Sequence, residues 1–210
     1  MSRLLLVLSL LAPLASRACE CLWQGAFVDV VDHADLVVSG RVTAQRGNSL
    51  DLDIDQVLLG REHRERLRVW GDPVPAGGRA TPGSRCRAEL ATFVPGSQWV
   101  LALQRIRELP PAGFNPNTPH VGHGRLDDYS LSRCGVYWLQ RDGRVVSGNI
   151  LRSPRWEYRS QPAPVVLHEL LVDHLQGRLP RASLNEAARP RDRRHTRQLM
   201  EQTRDFLQDQ

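Results

Sequence analysis

The stretch DLVVSGRVTAQRGNSLDLDID, residues 35–55, decides the fold of this 210-residue chain. Its first half is rich in β-branched residues and has Gly40 in the middle, where a glycine is typical of a bulge or a sharp bend. Gly47 and Asn48 form a turn, after which leucine or isoleucine alternates with aspartate over residues 50–55. Such a period of two is typical of a half-buried strand. The stretch therefore predicts a β-hairpin whose aspartates form its outward face.

Further short strands follow this hairpin. They are predicted at residues 67–70, 98–103, 132–140 and 145–150, and the long connections between them are rich in proline and glycine. Five or six short strands with glycine bends and long loops favour a small closed barrel. We therefore expect a mainly β domain that ends near residue 150.

The composition changes after the predicted barrel. Residues 165–176 (VVLHELLVDHLQ) place their apolar side chains at helical spacing. This pattern predicts a C-terminal helix that packs on the barrel, within a packing region of residues 151–180. Residues 181–210 are polar and rich in charge, and they predict a mobile or marginally helical tail.

Residues 1–18 predict a signal peptide. They carry a positive charge, an apolar core too short to span a membrane and a small-residue cleavage site that ends at Ala18. We therefore expect a mature chain that begins at Cys19 and is secreted or periplasmic. A lipoprotein cut that leaves a lipid on Cys19 is the alternative, although Arg17 and Ser16 fit that motif poorly.

The chain has four cysteines, at Cys19, Cys21, Cys86 and Cys134. In an exported chain this number predicts two disulfides. Cys19 and Cys21 are one residue apart and cannot comfortably bond to each other. Two pairings stay open, namely Cys19–Cys86 with Cys21–Cys134, and the crossed pairing. Either one ties the N-terminal segment to two distant parts of the chain, and each long loop could contribute about 4–5 kcal/mol on the chain-entropy model.

Other classes of function have less support in the sequence. The formal net charge of +5 comes without a dense basic face that carries interleaved aromatic residues, which argues against nucleic-acid binding. His120 and His123, followed by Asp127 and Asp128, form an incomplete candidate metal site. Because they lie in a predicted loop, which lacks the fixed face of a helix, two exposed histidines are the simpler interpretation. The sequence contains no evident nucleophile–base pair or phosphate-binding loop, so we predict a protein without catalytic activity or cofactor.

Taken together, the motifs resemble those of the tissue inhibitors of metalloproteinases and the wider netrin-like module. The resemblance rests on C-x-C after a signal peptide, on the VLLG turn of residues 57–60, and on Cys86 followed by FVPGSQWVLAL at residues 93–103. A further cysteine, Cys134, opens the last predicted barrel strand.

The resemblance covers residues 19–150 and implies a fold. That fold is a five- to six-stranded OB-fold barrel, here with the C-terminal helix packed on it. It also implies the disulfides Cys19–Cys86 and Cys21–Cys134.

The resemblance further implies a mechanism. In these inhibitors the α-amine and carbonyl oxygen of the first cysteine chelate the catalytic zinc of the target protease, which assigns that role to Cys19. The two atoms close a five-membered ring on the metal, and a catalytic zinc keeps an open coordination position for them. A disulfide that fixes Cys19 reduces the entropy lost on docking. Glu20 would enter the specificity pocket of the protease, where a buried carboxylate is costly unless it is paired.

The chain also departs from these inhibitors, since it lacks a third barrel disulfide and a cysteine-rich C-terminal half. Two expectations follow. The first is a secreted zinc-metalloprotease inhibitor that uses Cys19 and Glu20. The alternative is an exported netrin-like module that binds another protein or a surface and uses its cysteines only as staples. A metal-dependent enzyme using His120 and His123 ranks last, and no membrane contact is expected unless Cys19 carries a lipid.

Overall fold

The computed structural model describes residues 21–72, 86–108, 124–151 and 164–188. These ranges form eight strands: β1 (Leu36–Arg46), β2 (Ser49–Leu59), β3 (Arg66–Trp70), β4 (Gln98–Arg105), β5 (Tyr129–Ser130), β6 (Trp138–Asp142), β7 (Val145–Ser147) and β8 (Val165–Leu167). They also form three α-helices: α1 (Phe27–Val30), α2 (His168–Leu175) and α3 (Arg181–Ala187). Short 3-10 helices lie at Val31–His33 and Leu90–Thr92. Among the described residues, no helix is both long enough and apolar enough to cross a membrane.

Five of the strands close into a barrel. β1 pairs with β2, β2 with β3, and β4 returns to pair with β1, all antiparallel. The short β5 closes the ring because it pairs in parallel with β3 and antiparallel with β4. Strands β6, β7 and β8 extend the sheet from β4. This arrangement confirms the predicted mainly β fold, with an OB-fold-like barrel and a C-terminal helix.

The hairpin of β1 and β2 bends as the sequence predicted. The register between the strands shifts at Ser39 and Gly40. A Cβ atom on Gly40 would lie 2.4 Å from the backbone oxygen of Asp53, so only glycine allows this approach. Leu50 and Leu52 point into the core and are almost completely buried. The hairpin therefore supplies both the curvature and one wall of the barrel core.

The aspartates of β2 form ion pairs with neighbouring strands. Asp51 and Asp53 are the cross-strand partners of Arg68 and Arg66, and each pair forms a salt bridge. Asp51 is buried under its arginine, which corrects the expectation that the whole aspartate face points outward. Cross-strand pairs of opposite charge stabilise the register of two strands.

Only the end of the strand predicted at residues 132–140 is confirmed, because residues 138–140 belong to β6 whereas residues 131–137 form a break between β5 and β6. β5 and β6 pair with the same edge of β4, and residues 131–137, which carry Cys134, bend between them. In the break, backbone groups bond elsewhere: the amide of Val136 donates to Gly25, and the carbonyl of Leu131 accepts from Ala88. These competing partners take the place of a continuous strand ladder.

The predicted helix at residues 165–176 begins later than expected. Its first three residues form β8, which pairs with β7, and α2 starts at His168. Pro164 precedes two valines, a combination that favours extended backbone. Leu171 and Val172 of α2 are buried in the core.

The start of the predicted tail is also packed on the barrel. Leu184 of α3 is fully buried, and the guanidinium of Arg181 forms a salt bridge with Asp29. Arg181 also donates a hydrogen bond to the carbonyl oxygen of Leu151. The remainder of the tail, residues 189–210, lies outside the described residues.

Candidate functional site

A disulfide ties the N-terminal segment to the break between β5 and β6. Cys21 is bonded to Cys134, with their Cα atoms 5.6 Å apart and a separation of 113 residues along the chain. This bond rules out the crossed pairing and is the one that the resemblance implied. A link over so long a loop stabilises the folded chain chiefly by restricting the unfolded one.

A third cysteine lies beside this bond. The sulphur atoms of Cys21, Cys86 and Cys134 all lie within 4.8 Å of one another. Cys86 is also disulfide-bonded, so none of the three offers a thiolate to a metal ion. Cys19 lies outside the described residues, and its bond to Cys86 stays a prediction.

Backbone and side-chain hydrogen bonds hold the segment that follows Cys21. The amide of Gln24 donates to the carbonyl oxygen of Cys134 at 2.7 Å, and the amide of Val136 donates to Gly25 at 3.0 Å. The hydroxyl of Tyr137 donates to Oε1 of Gln24 at 2.6 Å. Burial raises the pKa of Tyr137 to about 12, so the hydroxyl keeps its proton and remains a donor near neutral pH.

The start of α1 is also held by hydrogen bonds. The amide of Ala26 donates to Oδ2 of Asp29, which caps α1. The amides of Phe27 and Val28 donate to the carbonyl oxygens of Asn149 and Ile150. The stretch of chain after β7 therefore holds the start of α1 in place, and α1 cannot shift without breaking these buried hydrogen bonds.

The residues just before this anchored stretch face solvent. Cys21 is exposed, and 91% of the Leu22 side chain is accessible to water. Trp23, one residue later, already packs against the core. The described chain thus begins with a fixed segment that presents an apolar side chain to solvent.

The remaining candidate residues are only partly described. Glu20, His120 and His123 lie outside the described ranges. The carboxylate of Asp127 lies 3.6 Å from Arg105 and that of Asp128 lies 3.8 Å from Arg64. Asp128 also accepts a hydrogen bond from Trp70. Both carboxylates therefore have cationic protein partners.

A polar cluster at the closure of the barrel was not predicted from the sequence. The hydroxyl of Tyr129 on β5 donates to Oε2 of Glu62 at 2.9 Å and accepts from Arg105 at 3.1 Å. Arg64 donates to the same carboxylate at 2.8 Å. Hydrogen bonds from Arg64 lower the pKa of Glu62 to about 2. The cluster joins the loop after β2 to β4 and β5, and its members are too far apart in sequence for any spacing to reveal it.

Comparisons of the chain with models of protein families, with curated proteins and with solved structures find no match. The fold and the site thus define the class by themselves. The class is an OB-fold-like barrel with a disulfide-anchored, solvent-exposed N-terminal segment.

Proposed function

We propose that the chain is an exported inhibitor of a zinc metalloprotease and that the α-amine and carbonyl oxygen of Cys19 chelate the zinc of its target. One observation carries this proposal. The segment that starts two residues after Cys19 is exposed at Cys21 and Leu22, yet it is fixed to the barrel by the Cys21–Cys134 disulfide.

A fixed segment suits a chelator. An amine and a carbonyl on a mobile terminus would lose conformational freedom on binding, whereas an anchored segment has lost most of it beforehand. The hydrogen bonds of Gln24 and Gly25 to the barrel add to that rigidity. The α-amine must be neutral to bind a metal, and its ordinary pKa of about 7.7–8.0 makes the neutral form accessible near pH 7.

The residues around the chelator indicate the kind of target. Glu20 would contact the specificity pocket, and a carboxylate enters a protein interior at low cost only when it meets a cation or several hydrogen-bond donors. We therefore propose a target whose pocket carries a basic side chain. Leu22, exposed to 91%, supplies an apolar contact for the rim of the same cleft.

The alternative is an exported barrel that binds a protein partner without inhibiting it. A closed barrel gains stability from the Cys21–Cys134 disulfide whether or not a protease is ever bound. In this alternative the exposed Leu22 is a partner contact, and the α-amine of Cys19 has no role. Disulfides of this kind persist in oxidising compartments, which supports a secreted or periplasmic location under both proposals.

The test compares two forms of the mature chain against purified zinc endopeptidases whose specificity pockets are basic, polar or apolar. One form begins at Cys19, and the other carries a single extra alanine before Cys19. A third form with the alanine added after Gln210 is the matched control. We expect the first and third forms to inhibit at least one enzyme with a basic pocket, and the N-terminal extension to weaken that inhibition at least a hundredfold. Equal inhibition by all three forms would contradict zinc chelation by Cys19, and no inhibition across the panel would favour the binding module.

A further inference from the structure

Two disulfides lie side by side at the N-terminal anchor. Cys21 is bonded to Cys134, Cys86 takes part in a disulfide of its own, and the three sulphur atoms lie within 4.8 Å of one another. A thiolate attacks a disulfide through direct contact between sulphur atoms. A sulphur released from one of these bonds therefore needs only a small movement to reach the other.

Backbone contacts join the segment of Cys86 to the segment of Cys134. The amide of Arg133 donates to the carbonyl oxygen of Cys86 at 2.9 Å, and Arg87 forms an antiparallel bridge with Ser132. The sulphur of Cys134 lies 4.0 Å from the carbonyl oxygen of Cys86. A bond between Cys86 and Cys134 would thus join two segments that are already neighbours.

The backbone of Cys86 is strained. Its φ angle is +56°, in the left-handed region that residues with a side chain rarely adopt. Such a conformation persists only where surrounding contacts hold it in place. The hydrogen bond from Arg133 and the bridge between Arg87 and Ser132 are among the contacts that hold it.

We propose that these cysteines form a thiol–disulfide relay that unlocks the N-terminal segment. An external dithiol, such as a thioredoxin-type protein, gives two electrons to the disulfide of Cys86 and becomes a disulfide itself. Cys86 is left as a thiolate and its partner cysteine as a thiol, and the second proton of the dithiol passes to water. That thiolate attacks the sulphur of Cys134. The Cys86–Cys134 bond forms, the Cys21–Cys134 bond breaks, and Cys21 leaves as a thiolate that takes up a proton from water. The second step exchanges one disulfide for another and needs no further reductant.

The exposures of the two residues set the direction of attack. Cys21 is exposed whereas Cys134 is buried. Water stabilises a thiolate on Cys21, which makes it the better leaving group, while a thiolate on Cys134 would lack solvation.

The relay has a consequence that rests on the proposed function. Once Cys21 is released, no disulfide joins the start of the mature chain to the barrel, so the chelating atoms of Cys19 lose the anchor that the proposed function requires. Inhibition would then end under reducing conditions. The exchange itself does not depend on any protease.

The relay is tested by disulfide mapping on the full mature chain. The protein is treated with one equivalent of dithiothreitol at pH 8 without oxygen, quenched with acid, alkylated and mapped by mass spectrometry. We expect molecules that have lost one disulfide to contain a Cys86–Cys134 bond and an alkylated Cys21. A retained Cys21–Cys134 bond with an alkylated Cys86 would overturn the relay. So would an alkylated Cys134 together with an intact disulfide at Cys86.

A rate measurement provides a second test. In a Cys19→Ser/Cys86→Ser variant the attacking thiol is absent, and the Cys21–Cys134 bond must react with the reagent directly. We expect alkylation of Cys21 to slow at least about tenfold, since a neighbouring thiol acts at a high effective concentration. An equal rate in both proteins would contradict the relay. If the mapping shows the exchange but no enzyme is ever inhibited, the relay stands and the proposed function fails.

Discussion

The hydroxyl of Tyr137 donates a 2.6 Å hydrogen bond to Oε1 of Gln24, a residue 113 positions earlier in the chain. This bond attaches the residues that follow Cys21 to the stretch between β5 and β6. The proposed inhibitor depends on this attachment, because it keeps the N-terminal segment in one position. The same bond gives the first prediction.

Replacing Tyr137 with phenylalanine removes the hydroxyl donor and leaves Oε1 of Gln24 without this hydrogen bond. We expect the free energy of unfolding to fall by about 1–2 kcal/mol, the usual effect of an unsatisfied, partly buried polar group. Urea denaturation of the wild type, Tyr137→Phe, Gln24→Leu and the double variant measures it. The double variant should lose less than the sum of the single changes, and strict additivity would show that the two residues are not coupled.

Gly40 tests the bend of the long hairpin. A Cβ atom at this position would lie 2.4 Å from the backbone oxygen of Asp53, and a backbone atom cannot move aside cheaply. We expect Gly40→Ala to destabilise the fold by about 1–3 kcal/mol, as overpacking of a core does. Gly47→Asn is the matched control, because Gly47 has open space around it and asparagine tolerates its φ of +59°. Thermal or urea unfolding measures the stability of both variants. If the two are equally stable, the bend does not require a glycine at position 40.

His168 makes the stability of the fold depend on pH in mildly acidic solution. Burial and the nearby Arg141 lower the pKa of His168 below its ordinary value of 6.5, while Asp55 and Glu169 partly oppose the shift. The unfolded chain then binds a proton more readily than the folded one, so stability is full above pH 6.5 and declines as the pH falls below it.

The change to leucine isolates this effect. In the described structure Nε2 of His168 has no hydrogen-bond partner, so the substitution removes a titrating group without breaking a hydrogen bond of that atom. Unfolding free energies at pH 7.5 and pH 5 should differ less in His168→Leu than in the wild type. An unchanged difference would show that His168 does not titrate on unfolding.

Glu62 makes the stability of the fold depend on pH in more strongly acidic solution. Hydrogen bonds from Arg64 lower its pKa from the ordinary 4.5 to about 2, so its contribution is present above pH 4.5 and is lost as the pH falls towards 2. We expect Glu62→Gln to be less stable than the wild type at pH 7 and to lose less further stability between pH 5 and pH 3. Denaturation curves at these three pH values measure both effects. If the stability of Glu62→Gln depends on pH as that of the wild type does, Glu62 is not the group that makes the fold sensitive to acid.

The sequence predicted those features of the fold that depend on local patterns. The alternation over residues 50–55 and the position of Gly40 are properties of neighbouring residues. They predict the hairpin and its bend, whereas the burial of Asp51 under Arg68 depends on the neighbouring strand. The start of α2 was misplaced because two valines and a leucine satisfy a strand and a helix equally well, and only the pairing with β7 selects the strand.

Long-range partners could not be predicted in the same way. The break around Cys134 arises because its backbone groups bond to residues that are distant in the sequence, namely Gln24, Gly25 and Ala88. Cysteine spacing alone left two pairings open, and the Cys21–Cys134 bond decides between them only once the barrel has brought the two residues together. The Tyr129 cluster likewise depends on the closure of β3 against β5.

The central claim is that a free α-amine on Cys19 binds the zinc of a protease, and the composition of the chain allows a direct test. The sequence contains no lysine, so in the mature chain an amine-selective acetylating reagent modifies only the N-terminal amine. The measurement is the inhibition constant against a susceptible zinc endopeptidase before and after acetylation, with the mass and disulfides of both forms verified. The account predicts that acetylation weakens inhibition at least a hundredfold while the unfolding temperature stays the same. Inhibition that survives acetylation would contradict zinc chelation by Cys19.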